Sequence, residues 1–349
     1  KILVFYPVDG VSPMQKLQMT TQEGENVAVC AIHGNFDDAQ SAVKSIFTND
    51  EIKAELAKKN MMFSSANSIN WGRLVPQIVY YFSAYADLCK MGQLQVGEPM
   101  NVVVPTGNFG NILAGYYAKH MGLPIQTMVC ASNTNNVLTD FLKTGTYDRN
   151  RDFYATTSPS MDILISSNLE RLLFDLSGEN NAEVRDYMSG ESDAAVRGWM
   201  TQLAENGKYT VEPEVMAKIQ NEFAAGYCDE AAVADTIHKT YTDQNYLCDT
   251  HTAVAVKVYR DYVAQTGDDL PSVIDSTASP YKFSKSVLTA VLEGNTPQLD
   301  EFDMVEELHR VTGAAVPAPL AALKDKAVRF TQVCDRENMS QMVFQLLNL

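Results

Sequence analysis

A glycine-rich segment over residues 107–111 contains the residue types that could bind a ligand most directly. Its glycines allow a sharp turn of the backbone, and apolar residues at helical spacing follow it. The turn therefore points free backbone N–H groups at the positive end of a helix dipole, which is a favourable place for a phosphate group. The alternative is an ordinary turn between a strand and a helix that binds nothing. The residues of this predicted phosphate loop are Gly107, Asn108, Phe109, Gly110 and Asn111.

The predicted phosphate loop lacks the features of two common nucleotide sites. A P-loop has a lysine directly after its last glycine, whereas Gly110 is followed by Asn111. A dinucleotide fingerprint needs three spaced glycines and an acidic residue at the end of the next strand. The next predicted strand, Ile125–Ala131, ends instead on Ser132 and Asn133. The sequence therefore disfavours ATP, GTP and dinucleotides as ligands.

A second polar segment precedes a long predicted helix over residues 69–91. Asn67, Ser68 and Arg73 provide an amide, a hydroxyl and a guanidinium group, which together suit a phosphate monoester. The alternative for this segment is a helix cap followed by a surface arginine.

The phosphate loop lies between two elements of an α/β pattern. Val102–Val104 is β-branched and apolar, as in a buried strand, and a helix follows from Asn111 and ends at Gly122. Further strands are predicted at Ile2–Tyr6 and Val27–Ile32, with helices between the strands. This alternation predicts parallel sheets with right-handed crossovers.

The second half of the chain is predicted to be mainly helical. Residues 213–227 are predicted as one helix, and residues 177–198 as an exposed acidic segment. Val273 and Ile274 form a short last strand, and the tail from Gln298 is predicted as an acidic helical extension.

Composition excludes several classes of function. The net charge of −16 disfavours a nucleic-acid partner, because phosphates need a basic surface. No apolar run reaches membrane-spanning length, and the five histidines show no metal-ligand spacing. The six cysteines are scattered, which predicts reduced thiols in a cytoplasmic protein.

The pattern Gly-Asn-Phe-Gly-Asn resembles the phosphate loop of pyridoxal-phosphate (PLP) enzymes of the tryptophan-synthase-β type. Within that group the chain is most similar to threonine synthases, from Lys1 to about Glu293. The other stretches that match are residues 6–21, 158–162, 168–174 and 249–253. The resemblance implies two parallel-sheet α/β domains: a partial small domain over residues 1–75 and a large PLP-binding domain over residues 76–295. Residues 296–349 would form a helical C-terminal extension.

The resemblance also implies roles for the candidate residues. Residues 107–111 would hold the cofactor phosphate, and Asn67, Ser68 and Arg73 would hold the phosphate of the substrate O-phosphohomoserine. Thr277, beside Ser276, would hydrogen-bond the pyridine nitrogen of PLP and leave it largely neutral. The reaction would convert O-phosphohomoserine and water to L-threonine and phosphate. His251 is predicted as a capping or packing residue and Asp162 as a loop carboxylate.

The chain departs from the threonine synthase pattern at its start. The Schiff-base lysine and the Ser-Gly-Asp-Thr-Gly stretch of that family are not found in it, so no catalytic residue is assigned. Lys1 leads directly into an apolar strand, which predicts a piece of a longer chain that is inactive alone and contacts a missing N-terminal segment. The alternatives are a sister enzyme such as threonine dehydratase and a non-catalytic fragment that binds phosphate ligands. Arg73 disfavours the dehydratase, whose substrate carries no phosphate.

Overall fold

The computed structural model describes residues 1–8, 11–34, 36–64, 68–177 and 191–349. Within these ranges the strands are β1 (Ile2–Pro7), β2 (Val27–His33), β3 (Met100–Pro105), β4 (Ile125–Ser132), β5 (Thr146–Asp148), β6 (Lys208–Thr210), β7 (Phe223–Tyr227), β8 (Ser272–Ile274) and β9 (Val333–Asp335). The α-helices are α1 (Pro13–Thr20), α2 (Phe36–Thr48), α3 (Asp50–Ala57), α4 (Trp71–Lys90), α5 (Gly110–His120), α6 (Val137–Thr144), α7 (Leu169–Ser177), α8 (Glu191–Asn206), α9 (Pro213–Glu222), α10 (Glu230–Gln244), α11 (Thr250–Thr266), α12 (Ser284–Val291), α13 (Glu301–Thr312), α14 (Ala318–Ala321) and α15 (Met339–Leu347).

The chain divides into two compact units, and the first is built from both of its ends. Residues 1–64 and 297–349 form the first unit, and residues 65–296 form the second. The predicted boundary at residue 75 therefore lies inside the second unit. Residues 297–349, which lie in the extension predicted over residues 296–349, belong to the first unit.

The first unit contains a parallel sheet in the order β1-β2-β9. Strand β9 pairs with β2 through Ala31 and Val333, and Cys334 is buried between the sheet and its helices. The prediction of a wholly helical tail missed β9 because three residues are too few to show a strand alternation.

The second unit contains a four-stranded parallel sheet in the order β7-β4-β3-β8. Every residue of β3 is buried, which confirms the predicted strand at Val102–Val104. Strand β8 pairs with β3 through Val102 and Val273. Parallel pairing puts the carboxyl ends of β3 and β8 at the same edge of the sheet, so the segments that follow them meet there.

Two parts of the second unit differ from the sequence prediction. The helix predicted over residues 213–227 ends at Glu222, and Phe223–Tyr227 forms the edge strand β7 beside β4. The exposed segment predicted over residues 177–198 overlaps α8, which buries Val196 and Trp199. Residues 178–190 lie outside the described part. Strand β7 is stabilised by its pairing with β4 and helix α8 by its packing, and the local sequence pattern does not show such long-range contacts.

Three further observations limit the kinds of site available. The six cysteines are free thiols. Among the described residues, no group of three or more His, Cys, Asp or Glu side chains is arranged to hold a metal ion. No helix in the described ranges is long and apolar enough to span a membrane.

Candidate active site

A cleft of about 920 Å³ opens in the second unit at the carboxyl edge of β3 and β8. It is lined by residues of α4 and of the segment just before it, and by the segments that follow β3 and β8. Five residues predicted from the sequence line this one cleft: Ser68, Arg73, Asn108, Asn111 and Thr277. Asn67, the remaining predicted substrate ligand, lies outside the described residues. A second cavity, of about 610 Å³ and lined by Glu230, His238 and Lys285, contains none of the predicted site residues.

The turn after β3 leads directly into α5. Phe109 occupies the N-cap position of α5 in the left-handed region, with φ 61° and ψ 4°, and its side chain makes no capping hydrogen bond. The first N–H groups of α5 therefore receive no side-chain cap from this residue, as an anion site requires. The Phe109 ring is buried and lies 5.7 Å from the Phe223 ring. The side chain of Phe109 is therefore not available to a ligand.

Both glycines of the phosphate loop are required by close neighbours. A Cβ atom on Gly107 would lie 2.4 Å from the backbone oxygen of Ser160, and one on Gly110 would lie 2.4 Å from Ser68 Oγ. Gly110 thus lets the segment that carries Ser68 approach the phosphate loop. This approach brings the predicted cofactor ligands and one predicted substrate ligand together.

Asn168 and Arg171 hold the Ser68 segment against the phosphate loop. Asn168 Nδ2 donates to Ser68 Oγ at 3.1 Å and to the Asn108 carbonyl at 2.9 Å. Arg171 Nη1 donates to the Ser68 carbonyl at 3.2 Å. Sequence reasoning singled out the stretch 168–174 and gave it no chemistry. Its amide and guanidinium groups position other residues.

Arg73 lies in the first turn of α4, where its exposed side chain lines the cleft. The N-cap residue of this helix is Asn70, whose Oδ1 accepts from the Gly72 N–H at 3.0 Å. The start of α4 therefore places a guanidinium group at the same cleft as the phosphate loop.

Asp275 is a cleft residue to which sequence reasoning gave no role. Its N–H donates to the Val103 carbonyl at 2.9 Å, so the residue continues the line of β8. Its Oδ2 accepts from Asn111 Nδ2 at 2.8 Å and from the Tyr81 hydroxyl at 3.2 Å. Burial raises the pKa of this carboxyl. The available signal was an acidic residue directly after a strand that ends at the same sheet edge as the phosphate loop.

Ser276 and Thr277 follow Asp275 and are exposed at the cleft. The Thr252 and Ser276 hydroxyl oxygens lie 3.2 Å apart. Thr252 also hydrogen-bonds the buried carboxylate of Asp249. This contact ties the start of α11 to the strand end that carries Thr277.

His251 is buried and lies outside the cleft lining. Its Nδ1 is 3.0 Å from Asp249 Oδ1, and the Ser160 N–H donates to its Nε2 at 3.3 Å. His251 therefore supports the backbone of Ser160, which in turn faces Gly107.

Asp162 serves the loops behind the cleft. It accepts from the Thr156 N–H at 2.9 Å and from the side-chain amides of Asn133 and Asn135 at 2.7 and 3.0 Å. These bonds satisfy a carboxylate within the loop network, so Asp162 organises loops and does not line the cleft.

Proteins similar to this chain include threonine synthases and threonine synthase-like proteins. Residues 252–343 match the family model "Threonine synthase, C-terminal". Human threonine synthase-like 1 is 41% identical over 292 residues, which is 83% of this chain and 37% of that protein. Threonine synthase of Saccharomyces cerevisiae is 37% identical over 316 residues, which is 89% of this chain and 59% of that protein.

A solved structure agrees with the sequence comparison. The PLP-bound threonine synthase of Brucella melitensis superposes with a TM-score of 0.80 and is 36% identical, covering 99% of this chain and 65% of that chain. The α/β fold with parallel sheets predicted from the sequence is therefore confirmed. The chain spans between about a third and two thirds of the length of the relatives it matches.

Proposed function

We propose, because this chain is a homologue of the threonine synthases over most of its own length, that its cleft binds PLP and O-phosphohomoserine. The reaction it serves converts O-phosphohomoserine and water to L-threonine and phosphate. The observation that carries the proposal is the meeting of Ser68, Arg73, Asn108, Asn111 and Thr277 in one cleft. The free cysteines further favour a cytoplasmic protein.

The residues of the cleft fit PLP at both ends of that molecule. The backbone of residues 107–111, at the start of α5, would hold its phosphate, because no side chain caps those N–H groups from the N-cap position. The exposed hydroxyl of Thr277 would hydrogen-bond its ring nitrogen. Bound PLP supplies an electron sink for the pair left behind when a proton is removed next to the amino group.

Arg73 and Ser68 would bind the substrate phosphate on the α4 side of the cleft. A guanidinium fork matches the oxygens of a phosphate monoester and stabilises the charge that the phosphate carries away as it leaves. Threonine dehydratase, which acts on an unphosphorylated hydroxy-amino acid, has no use for this group. The placement of Arg73 in the cleft therefore favours the synthase reaction.

The test is a calorimetric comparison of O-phosphohomoserine and L-threonine as ligands of the 349-residue chain. It is run without added PLP, because the amino group of either ligand reacts with free PLP in solution. We expect O-phosphohomoserine to bind more tightly. Arg73→Ala should weaken its binding by about tenfold to a hundredfold, as for loss of a hydrogen bond to a charged group. L-Threonine binding should not change.

The matched control is Arg149→Ala, which removes a guanidinium that donates to the Ala204 carbonyl outside the cleft. It should leave both affinities unchanged. Equal binding of the two ligands by the unmodified chain, with no effect of Arg73→Ala, would return the dehydratase alternative to first place.

We also propose that no lysine of residues 1–349 forms the Schiff base, since none stands in the family motif for that residue. Borohydride reduction of the chain with PLP, followed by peptide mass mapping, should give scattered labelling well below one adduct per chain. A single stoichiometric adduct on one lysine, together with threonine formation, would contradict this proposal. PLP affinity without either result would fit the non-catalytic alternative.

A further inference from the structure

Three polar groups meet beneath the cleft, in what we call the cleft cluster: Tyr81, Asn111 and Asp275. Asn111 Nδ2 donates to Asp275 Oδ2 at 2.8 Å, and the Tyr81 hydroxyl lies 3.2 Å from the same oxygen. The Tyr81 hydroxyl is also 3.0 Å from Asn111 Oδ1 and 2.9 Å from the Asn111 carbonyl. The side-chain amide of Asn111 is thus engaged by Asp275, and the backbone of the phosphate loop is left for a ligand.

Each member of the cleft cluster comes from a different element that carries a proposed ligand. Tyr81 lies on α4, the helix of Arg73. Asn111 lies in the first turn of α5, at the end of the phosphate loop. Asp275 follows β8 and directly precedes Ser276 and Thr277.

The packing around Tyr81 fixes the cleft cluster in place. The Tyr81 side chain is 1% exposed. A Cβ atom on Gly115 of α5 would lie 3.0 Å from its ring, so glycine at this position allows α5 to lie directly against the ring. A buried hydroxyl held in this way sets where its hydrogen-bond partners sit, because moving them would leave a buried polar group unpaired.

We propose that Asp275 is a positioning residue that sets the spacing between the phosphate loop and the strand-end hydroxyls of Ser276 and Thr277. This inference rests on the proposed function, in which one ligand is held at both places. A ligand such as PLP, with a phosphate at one end and a ring nitrogen at the other, depends on this spacing. Inorganic phosphate, which occupies the phosphate loop alone, does not depend on it.

The second unit contains a matched control for Asp275. Asp268 also accepts a hydrogen bond from an asparagine, Asn101 Nδ2 at 2.9 Å, and from a tyrosine, the Tyr262 hydroxyl at 2.6 Å. Asp268 precedes β8, and Asn101 lies near the start of β3, so this set occupies the opposite edge of the same strand pair. None of its members lines the cleft.

The experiment measures the affinity of the chain for PLP and for inorganic phosphate in Asp275→Ala, Asp275→Asn, Tyr81→Phe and Asp268→Ala. We expect Asp275→Ala to weaken PLP binding about tenfold, as for loss of one hydrogen bond to a charged group. Phosphate binding should weaken by less than about twofold. Asp275→Asn keeps an oxygen that can accept from Asn111, so PLP should bind within about threefold of the unmodified chain. Asp268→Ala should change neither affinity.

The outcomes separate this inference from the proposed function. If Asp275→Ala weakened the binding of PLP and of phosphate equally, Asp275 would only keep the phosphate loop folded. If neither affinity changed, Asp275 would not set the spacing between the phosphate loop and the strand-end hydroxyls. A loss in Asp275→Asn as large as in Asp275→Ala would assign the effect to charge and overturn the positioning role. If Asp275→Ala does not fold by circular dichroism, Tyr81→Phe carries the test, with about a threefold loss for PLP alone. Failure of the unmodified chain to bind PLP would overturn the proposed function itself.

Discussion

The two edges of the β3–β8 strand pair carry the same three side-chain types with different consequences. At each edge an aspartate accepts hydrogen bonds from one asparagine amide and one tyrosine hydroxyl. The cleft edge has Asp275, Asn111 and Tyr81, and the far edge has Asp268, Asn101 and Tyr262. At the cleft edge, burial raises the pKa of Asp275. At the far edge, the hydrogen bond from Tyr262 lowers the pKa of Asp268.

The opposite pKa shifts of Asp275 and Asp268 arise from their different loss of solvent and not from the types of their hydrogen-bond partners. Loss of water penalises the charged form of a carboxyl group, whereas donated hydrogen bonds favour it. Desolvation is the larger influence at Asp275, and hydrogen bonding is the larger influence at Asp268. The same types of hydrogen-bond donor therefore leave the two carboxyl groups with opposite pKa shifts.

The largest expected effect comes from glycines at the two edges. Gly110→Val at the cleft edge should weaken the binding of PLP and of phosphate by about a hundredfold, because the new side chain collides with Ser68. This loss corresponds to roughly 3 kcal/mol of binding free energy. Gly267 lies just before Asp268, with φ +70° and open space around its Cα. Gly267→Ala should cost about 1 kcal/mol of stability and leave both affinities unchanged. Fluorescence titration measures the affinities, and thermal unfolding measures the stability. Unchanged PLP affinity in folded Gly110→Val would mean that the phosphate loop does not bind PLP.

The next effect concerns stability at the far edge. Asp268→Ala should lower the free energy of unfolding by about 2 kcal/mol, because the fully buried side chain of Asn101 loses the acceptor of its Nδ2. Asp275→Ala should cost about 1 kcal/mol, because Asn111 and Tyr81 still bond to each other and Asn111 lines the cleft. Urea unfolding of both variants gives the two values. A larger loss for Asp275→Ala would reverse the assignment of the far edge as the structural one.

The smallest effect is a difference in pH dependence. The pKa of Asp275 is raised in the folded state, so its ionisation opposes folding as pH rises through that pKa. The free energy of unfolding of Asp275→Asn, relative to that of the unmodified chain, should therefore increase as pH rises from acid to neutral.

The sign at the other edge is opposite. The pKa of Asp268 is lowered, so its contribution is present above the unfolded pKa and disappears as pH falls through the folded one. Asp268→Asn should be destabilising at neutral pH, and the loss should vanish in acid. Each change should be below about 1 kcal/mol, since both carboxyls keep some contact with solvent. If the free energies of unfolding of Asp275→Asn and Asp268→Asn changed with pH in the same direction, the proposed difference between the two edges would be wrong.

The sequence predicted the parts of this site that depend on local residue types. The β-branched strand at Val102–Val104 and the turn through Gly107 and Gly110 both show in the order of the residues.

The parts that sequence reasoning missed depend on contacts between distant residues. Asp275 becomes a partner of Asn111 only because β8 pairs with β3. Phe109 was predicted to act through its backbone, and the burial of its side chain beside Phe223 of β7 was not predicted. Strands as short as β7 and β9 are stabilised by the neighbours they pair with, so their own residues give a weak signal.

The pairing of β9 with β2 constrains the order in which the protein can fold as it is synthesised. The second unit is continuous over residues 65–296, so all of its contacts can form once that stretch has left the ribosome. The sheet of the first unit joins Ala31 to Val333, and β2 must wait for a partner made some three hundred residues later. Until then the apolar edge of β2 is unpaired and able to add a foreign strand. The segment that carries β2 is therefore open to wrong strand pairing until β9 has been made.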